Sequence, residues 1–304
     1  MTRLMQAPWL LLVALLAAPA SAAQTRPTTA DIAGIVYDQS GAVLPGATVT
    51  AGNTETNQTR SVMTDEVGRF AVPALAPGVY TVRAELPGFS SQTQQEVVLR
   101  LGTHVALEFT LTLASTAEQI TVVASALDAF QTAVASVVAQ QQINSLPING
   151  RNFISFSVIT PGVTNDNTPQ QGASATSGLT FAGQRARSNN ITVDGLDNND
   201  IVVGSVRATF SQEAVREFQV ITNSYSAEYG KASGGVVNIV TKSGTNVASG
   251  NGFLFFRDAG LNSKEYFERF TPAGAAIDRP KAAYSQKQFG AIAGGPIRKD
   301  KTFF

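Results

Sequence analysis

Four stretches of this chain carry residue types whose spacing could do chemistry. His104 is the single histidine and there is no cysteine. A two-histidine zinc site, an H-E-x-x-H helix, a thiolate site and a cysteine nucleophile are therefore excluded. A serine nucleophile would depend on His104, and no G-x-S-x-G elbow occurs. Asp194, Asp197 and Asp200, with Asn198 and Asn199, offer the oxygen donors of a calcium loop, but glycine falls at the second place and no glutamate closes it. Asx-type turns account for those residues more simply. Thr241-Lys242-Ser243-Gly244 lacks the upstream glycine spacing of a phosphate-binding loop. The expectation is a non-enzyme with no catalytic residue, no metal and no cofactor. The fourth stretch, Glu118-Gln119-Ile120-Thr121-Val122-Val123-Ala124, is β-prone and flanked by Ala, Ser and Thr. Its chemistry is that of the backbone: an extended, accessible segment can add as a strand to a partner's sheet. The same string also reads as the last strand of a preceding domain, or as a plain linker.

The elements around these stretches follow from composition and patterning. At 304 residues the chain has room for two ordinary domains. It holds 22 basic and 22 acidic residues, without the clustered basic excess that nucleic acid requires. Arg3, the apolar run Trp9 to Ala18 and the small-residue site Ala20-Ser21-Ala22 predict a secretory signal over 1–22, cut before Ala23. The run is too short to cross about 30 Å of hydrocarbon as a helix. No later stretch is a candidate spanning helix, so any membrane insertion must use strands.

Residues 31–114 read as a succession of short strands. Val105, Leu107, Phe109, Leu111 and Leu113 alternate with Ala106, Glu108, Thr110 and Thr112. Tyr80, Val82, Ala84 and Leu86 alternate with Thr81, Arg83 and Glu85. This period of two puts one face on a core, and about seven such runs separated by turn residues predict an antiparallel β-sandwich. Tyr37, Phe70, Tyr80 and Phe109 are expected to pack the core rather than form a sugar platform. Residues 115–135 read as a linker holding the Glu118 string.

In the second half, 136–246, a short helix is expected over Val137 to Leu146. A helical or extended segment follows over Phe153 to Ile159, then a polar loop over Asn165 to Ser177. A helix-to-strand passage is expected at Glu213 to Thr222, and a nearly continuous apolar strand over Val236 to Thr241. Beyond 247 the texture changes again. Phe253, Phe255 and Arg257 alternate with Gly252, Leu254 and Phe256, and Gln288, Gly290 and Ile292 with Phe289, Ala291 and Ala293.

Several strings carry a family resemblance. Gly34-Ile35-Val36-Tyr37-Asp38, Pro45-Gly46-Ala47, Thr64-Asp65-Glu66-Val67-Gly68-Arg69-Phe70 and Pro77-Gly78-Val79-Tyr80 resemble the carboxypeptidase-regulatory-like domain, a carbohydrate-binding-like fold. Asn149-Gly150-Arg151-Asn152-Phe153, Gly183-Gln184-Arg185, Asp194-Gly195, Ser226-Ala227-Glu228-Tyr229-Gly230 and Gly234-Gly235-Val236-Val237-Asn238-Ile239-Val240-Thr241-Lys242-Ser243-Gly244 follow in one order. They resemble the plug of TonB-dependent outer-membrane receptors whose plug is preceded by that domain.

The resemblance implies a mainly β protein: an antiparallel sandwich, a small α+β plug over 136–246, and the first strands of a transmembrane β-barrel over 247–304. Such a chain is expected to be the N-terminal piece of a longer receptor. It would be exported to the outer membrane of a Gram-negative-type bacterium, with the sandwich on the periplasmic side. The string Glu118, Gln119, Ile120, Thr121, Val122 and Val123 resembles the TonB box, which implies the periplasmic C-terminal domain of TonB as partner. Phe181, Arg185, Asn189 and Asn190 become candidates to face arriving cargo, an extracellular ligand that could be a carbohydrate. Arg185, Arg187, Arg216 and Glu217 become candidates for contacts between plug and barrel wall. The competing expectation is an exported carbohydrate-binding or adhesion module of the cell surface.

Overall fold

The computed structural model describes residues 28–114, 120–123, 127–128, 134–139, 142–143, 153–165, 178–200, 206–208, 210–225 and 229–304. The expected signal segment, Glu118 and Gln119, the Asn149-Gly150-Arg151-Asn152 string and most of the polar loop before Ser177 lie outside the described residues.

The first domain is a two-sheet β-structure. Its strands are β1 (Ala30–Asp38), β2 (Thr48–Asn53), β3 (Thr59–Met63), β4 (Arg69–Leu75), β5 (Gly78–Glu85), β6 (Gln92–Leu99) and β7 (His104–Leu111). β4-β1-β7 form one sheet and β3-β2-β5-β6 the other. All neighbours are antiparallel except β1 and β7, which run parallel. The alternation read from the sequence sets the inner faces: Val105, Leu107, Phe109 and Leu111 of β7 are buried, as are Tyr80, Val82 and Ala84 of β5. Phe70 and Phe109 meet at the centre with ring centroids 6.0 Å apart. Leu113, expected in phase with β7, instead lies beyond the strand and is 69% exposed. Turn chemistry closes the hairpins. Asp65 Oδ1 accepts the Val67 and Arg69 N–H groups, and Gly68 takes φ +70 where a Cβ would sit 2.9 Å from Val43 Cβ.

Two short strands follow, β8 (Ile120–Val123) and β9 (Leu127–Asp128), which extend the two sheets of the first domain. The chain then enters β10 (Val134–Ala139), where a helix was expected over Val137 to Leu146. Val134, Val137 and Val138 are β-branched, and pairing with a later strand satisfies their backbone groups; within 137–146 the described helical residues are 142–143.

The second domain centres on a five-stranded mixed sheet, ordered β10-β15-β16-β13-β14. Before it come a 3₁₀ helix at Phe153–Ile159 and a small ladder of β11 (Val163–Asn165) with β12 (Leu179–Phe181). β13 (Asn190–Val193) and β14 (Leu196–Asp197) form a hairpin whose turn residues Asp194 and Gly195 have φ of 48° and 80°. Positive φ at both central positions is the turn type an Asp-Gly pair favours. The Glu213 region behaves as expected, a 3₁₀ turn at Gln212–Ala214 running into β15 (Val215–Asn223), which pairs with β16 (Val236–Thr241). One face of this sheet builds a second core from Val138, Phe218, Val220, Val237, Ile239 and Ile191, capped by Phe156 and Phe181.

The remainder is a long hairpin, β17 (Ser249–Asp258) with β18 (Ser285–Gly294), followed by β19 (Pro296–Arg298) and β20 (Thr302–Phe303). Among the described residues no helix is long and apolar enough to cross a membrane.

Candidate functional site

The strand-prone segment of the linker is placed against the first domain. β8 lies parallel to β6, with Ile120 opposite Gln92, Thr121 opposite Thr93, Val122 opposite Gln94 and Val123 opposite Gln95. β9 lies antiparallel to β7, with Leu127 opposite Ala106 and Asp128 opposite Val105. β8 and β9 therefore cover the open edges of β6 and β7, a common way to blunt exposed strand edges. The backbone of Ile120–Val123 is extended, and the segment is the outer strand of the β3-β2-β5-β6-β8 sheet, as the alternative reading of a last strand of the preceding domain expects.

A second cluster joins the two domains. The turn after β6 projects Leu101, fully buried, onto β15, where its N–H donates to Glu217 Oε1 at 2.7 Å. Gly102, at φ +68, lies so close to Gln219 that a Cβ there would meet the amide nitrogen at 2.8 Å. Arg216 donates to Glu55 Oε2 at 2.9 Å. Arg216 and Glu217, candidates for the barrel wall, thus meet the sandwich instead, because the β15 bulge between Val215 and Glu217 turns both toward it. Leu101 and Glu55 had no sequence signal, being separated from their partners by more than a hundred residues. Glu55, Arg216 and Glu217 line a cleft of about 1030 Å³ whose other walls include Lys242 and Asn251.

Burial pushes the Glu217 carboxyl up from its ordinary value of 4.5, and the Leu101 N–H with the Arg216 and Arg100 guanidiniums only partly offsets it. The Leu101 N–H itself favours the carboxylate, but the buried environment favours the protonated acid. Its contribution is complete below the ordinary value and is lost as pH rises through the raised one. The amide of Leu101 is expected to be better protected from hydrogen exchange at about pH 5 than at about pH 8, after correction for intrinsic rates. Glu217→Gln, which keeps the acceptor without the charge, should flatten that dependence. An unchanged pH profile in the variant would contradict this account of the contact.

The residues proposed to face cargo divide. Phe181, Asn189 and Asn190 are buried. The Asn189 amide donates to Leu179 O at 2.9 Å and its oxygen accepts the Gly235 N–H at 3.2 Å. Asn190 donates to the carbonyls of Tyr229 and Gly230. Gly235 is needed because a Cβ there would overlap the Phe181 ring. These three side chains hold the glycine-rich strand in place and present nothing to a ligand. Arg185 and Arg187 are exposed.

The acidic loop is likewise structural. Asp194 accepts the Thr241 N–H and hydroxyl at 2.9 and 2.7 Å. Burial works against ionisation of Asp197, but the backbone and side chain of Asn199 and the Lys231 ammonium outweigh it and hold the carboxyl at about 2. Asn198 spans to Ala208. His104 Nδ1 lies 3.3 Å from Asp31 Oδ2 at the sandwich margin.

The β17–β18 hairpin has two unlike faces. Its register puts Leu254 opposite Phe289, Gly252 opposite Ala291 and Phe256 opposite Lys287. Leu254 is 75% and Phe289 79% exposed, so this face offers bare apolar side chains. The other face mixes Asn251, Arg257, Gln286 and Gln288 with Phe253, Phe255 and Ile292, and Phe253 covers Gly290. Each strand has ten residues, within the roughly 9 to 11 that a tilted strand needs to span a bilayer.

Comparison with known proteins accords with this arrangement. Residues 31–112 match the carboxypeptidase regulatory-like domain, and residues 240–304 match an outer membrane beta barrel domain. The TonB-dependent transporter Oar of Myxococcus xanthus is 30% identical over 267 residues, covering 84% of this chain and 24% of that protein. The chain thus spans about a quarter of that relative. Among solved structures, the siderophore receptor PirA of Acinetobacter baumannii is 26% identical, with a TM-score of 0.38 over 55% of this chain and 23% of the receptor. A putative carbohydrate binding protein of Bacteroides uniformis is 19% identical, with a TM-score of 0.24 over 27% of this chain and 41% of the other. With a regulatory-like domain leading and barrel sequence closing the matched region, the findings support a TonB-dependent receptor of the Gram-negative outer membrane.

Proposed function

We propose that this chain supplies the periplasmic entrance and the gate of a TonB-driven importer. The sandwich stands in the periplasm, the second domain is the plug of the barrel begun by β17 and β18, and the Glu118–Val123 segment is the point at which TonB takes hold. The observation that carries the reading is the order of parts along one chain: sandwich, extended segment, compact Gly-rich domain and membrane-type hairpin.

The sheet of the second domain supports a mechanical role. β10 is its edge strand and, among the described residues, the first strand of that domain downstream of the segment, with Ala135 opposite Ile221 and Ala139 opposite Glu217 on β15. Tension on the segment loads the β10 ladder before any other part of that domain. Removing an edge strand breaks one ladder and leaves the core face of β15, β16 and β13 packed. Arg185 and Arg187, exposed on the same domain, are free to meet a barrel wall or a passing ligand. The chain has no assigned chemistry on its cargo, which is an extracellular ligand of unspecified class, and it acts as a conduit rather than an enzyme.

A photo-crosslinking amino acid at Thr121, in the receptor expressed from its whole gene, tests this in living cells. An adduct with TonB is expected at position 121, and none from the same group placed at Met63 on β3 at the far edge of the sheet. Adducts absent from position 121 in cells whose outer membrane contains the receptor would defeat the proposal.

A further inference from the structure

The segment assigned to TonB already has a strand partner inside its own chain. With β8 in place, the second sheet reads β3-β2-β5-β6-β8, so β6 is no longer an edge. β9 does the same for β7 in the other sheet. Strand addition uses backbone N–H and C=O groups, and successive residues turn these groups to opposite edges of a strand. Docked on β6, a four-residue strand has about half of them occupied and offers about two residues' worth on its outer side. An edge that short is one of the devices by which proteins resist further pairing.

We propose that the β6 edge is a self-occupied docking surface that stores Ile120–Val123 and competes with TonB for it, so that coupling stays latched until β8 lifts away. This deepens the proposed function and rests on the assignment of Glu118–Val123 as the TonB-binding segment. The latch is joined to the second domain through the residues just beyond β6. Leu101, two positions after the end of that strand, is the residue bonded to Glu217 on β15, and Gly102 packs on Gln219. A shift of β15 therefore acts on the support of the strand that holds the latch.

The chain has no native cysteine, so a single introduced pair can lock the latch. Gln95 is exposed and stands opposite Val123. Cα atoms of paired neighbours lie about 5 Å apart, inside the range a disulfide spans. In the double variant Gln95→Cys/Val123→Cys, mild oxidation should form the bond. Capture of the oxidised chain by the TonB C-terminal domain should then fall at least about tenfold, and reduction should restore it. A synthetic peptide of residues 117–126, which has no β6 to dock on, serves as reference and should be captured under both conditions.

If the peptide is captured and the oxidised chain is captured as well as the reduced one, TonB adds to the outer side of docked β8, and the latch is refuted while the TonB assignment stands. Failure of the disulfide to form refutes the docking itself. A peptide that TonB does not capture removes the assignment and the latch together.

Discussion

Gly34→Val should unfold the first domain at temperatures where the parent is fully folded. Gly34 sits in β1 between Phe70 of β4 and Leu107 of β7. A Cβ at this position would overlap the Leu107 carbonyl oxygen and come within 2.8 Å of two atoms of the Phe70 ring. Neither obstacle can step aside. The carbonyl belongs to the parallel ladder of β1 with β7, and the Phe70 ring is packed against Phe109 in the core. Overpacking of a close-packed interior costs about 1–3 kcal/mol, and more when backbone must move. At about 3 kcal/mol, a domain of this size loses roughly 12–24 °C in Tm. Gly52→Ala is the matched control, since its nearest atoms lie 3.6 and 3.8 Å away. That change should leave Tm within a few degrees. Equal melting of both variants would show that β1 does not lie between β4 and β7 as described.

The parts of the fold legible in the sequence are those in which one strand decides its own faces. β7 and β5 declared their inner residues by alternation, because each packs one face on a core and turns the other to water. The strands of the β17–β18 hairpin were legible from their length and β-prone composition, although Leu254 and Phe256 fall on one face and Phe253 and Phe255 on the other.

β10 was not legible. Val137 and Val138 are followed by a polar run that fits a helix equally well, and pairing with β15, about eighty residues on, decides the outcome. The candidate site divided along the same line. Asn189 and Asn190 have the polarity of ligand-facing residues, but burial and nearby carbonyls commit their amides to the fold. Arg216 and Glu217 were recognisable as residues needing partners in a mostly apolar strand. That the partners are Glu55 and Leu101 depends on how two domains meet, which no local pattern encodes. The Glu118 string drew its meaning from its position between domains, and its pairing with β6 rests on the same long-range assembly.

Proline within that string should abolish TonB capture. An added strand is held by backbone bonds on one edge, contributed by alternate residues. Proline removes an N–H, fixes φ near −65° and restricts the residue before it. Thr121→Pro and Val122→Pro together cover both edges of the segment, so one of them must delete a donor that faces the partner. Losing that bond and stranding the partner's carbonyl costs about 1.5–3 kcal/mol, equivalent to roughly ten- to hundredfold in affinity. Capture of the TonB C-terminal domain by the parent chain and by these two variants is the most direct test of the account. It predicts binding by the parent and a loss of at least about tenfold in one or both variants. Binding retained at the parent level by both would contradict the claim that TonB grips this chain through Glu118–Val123.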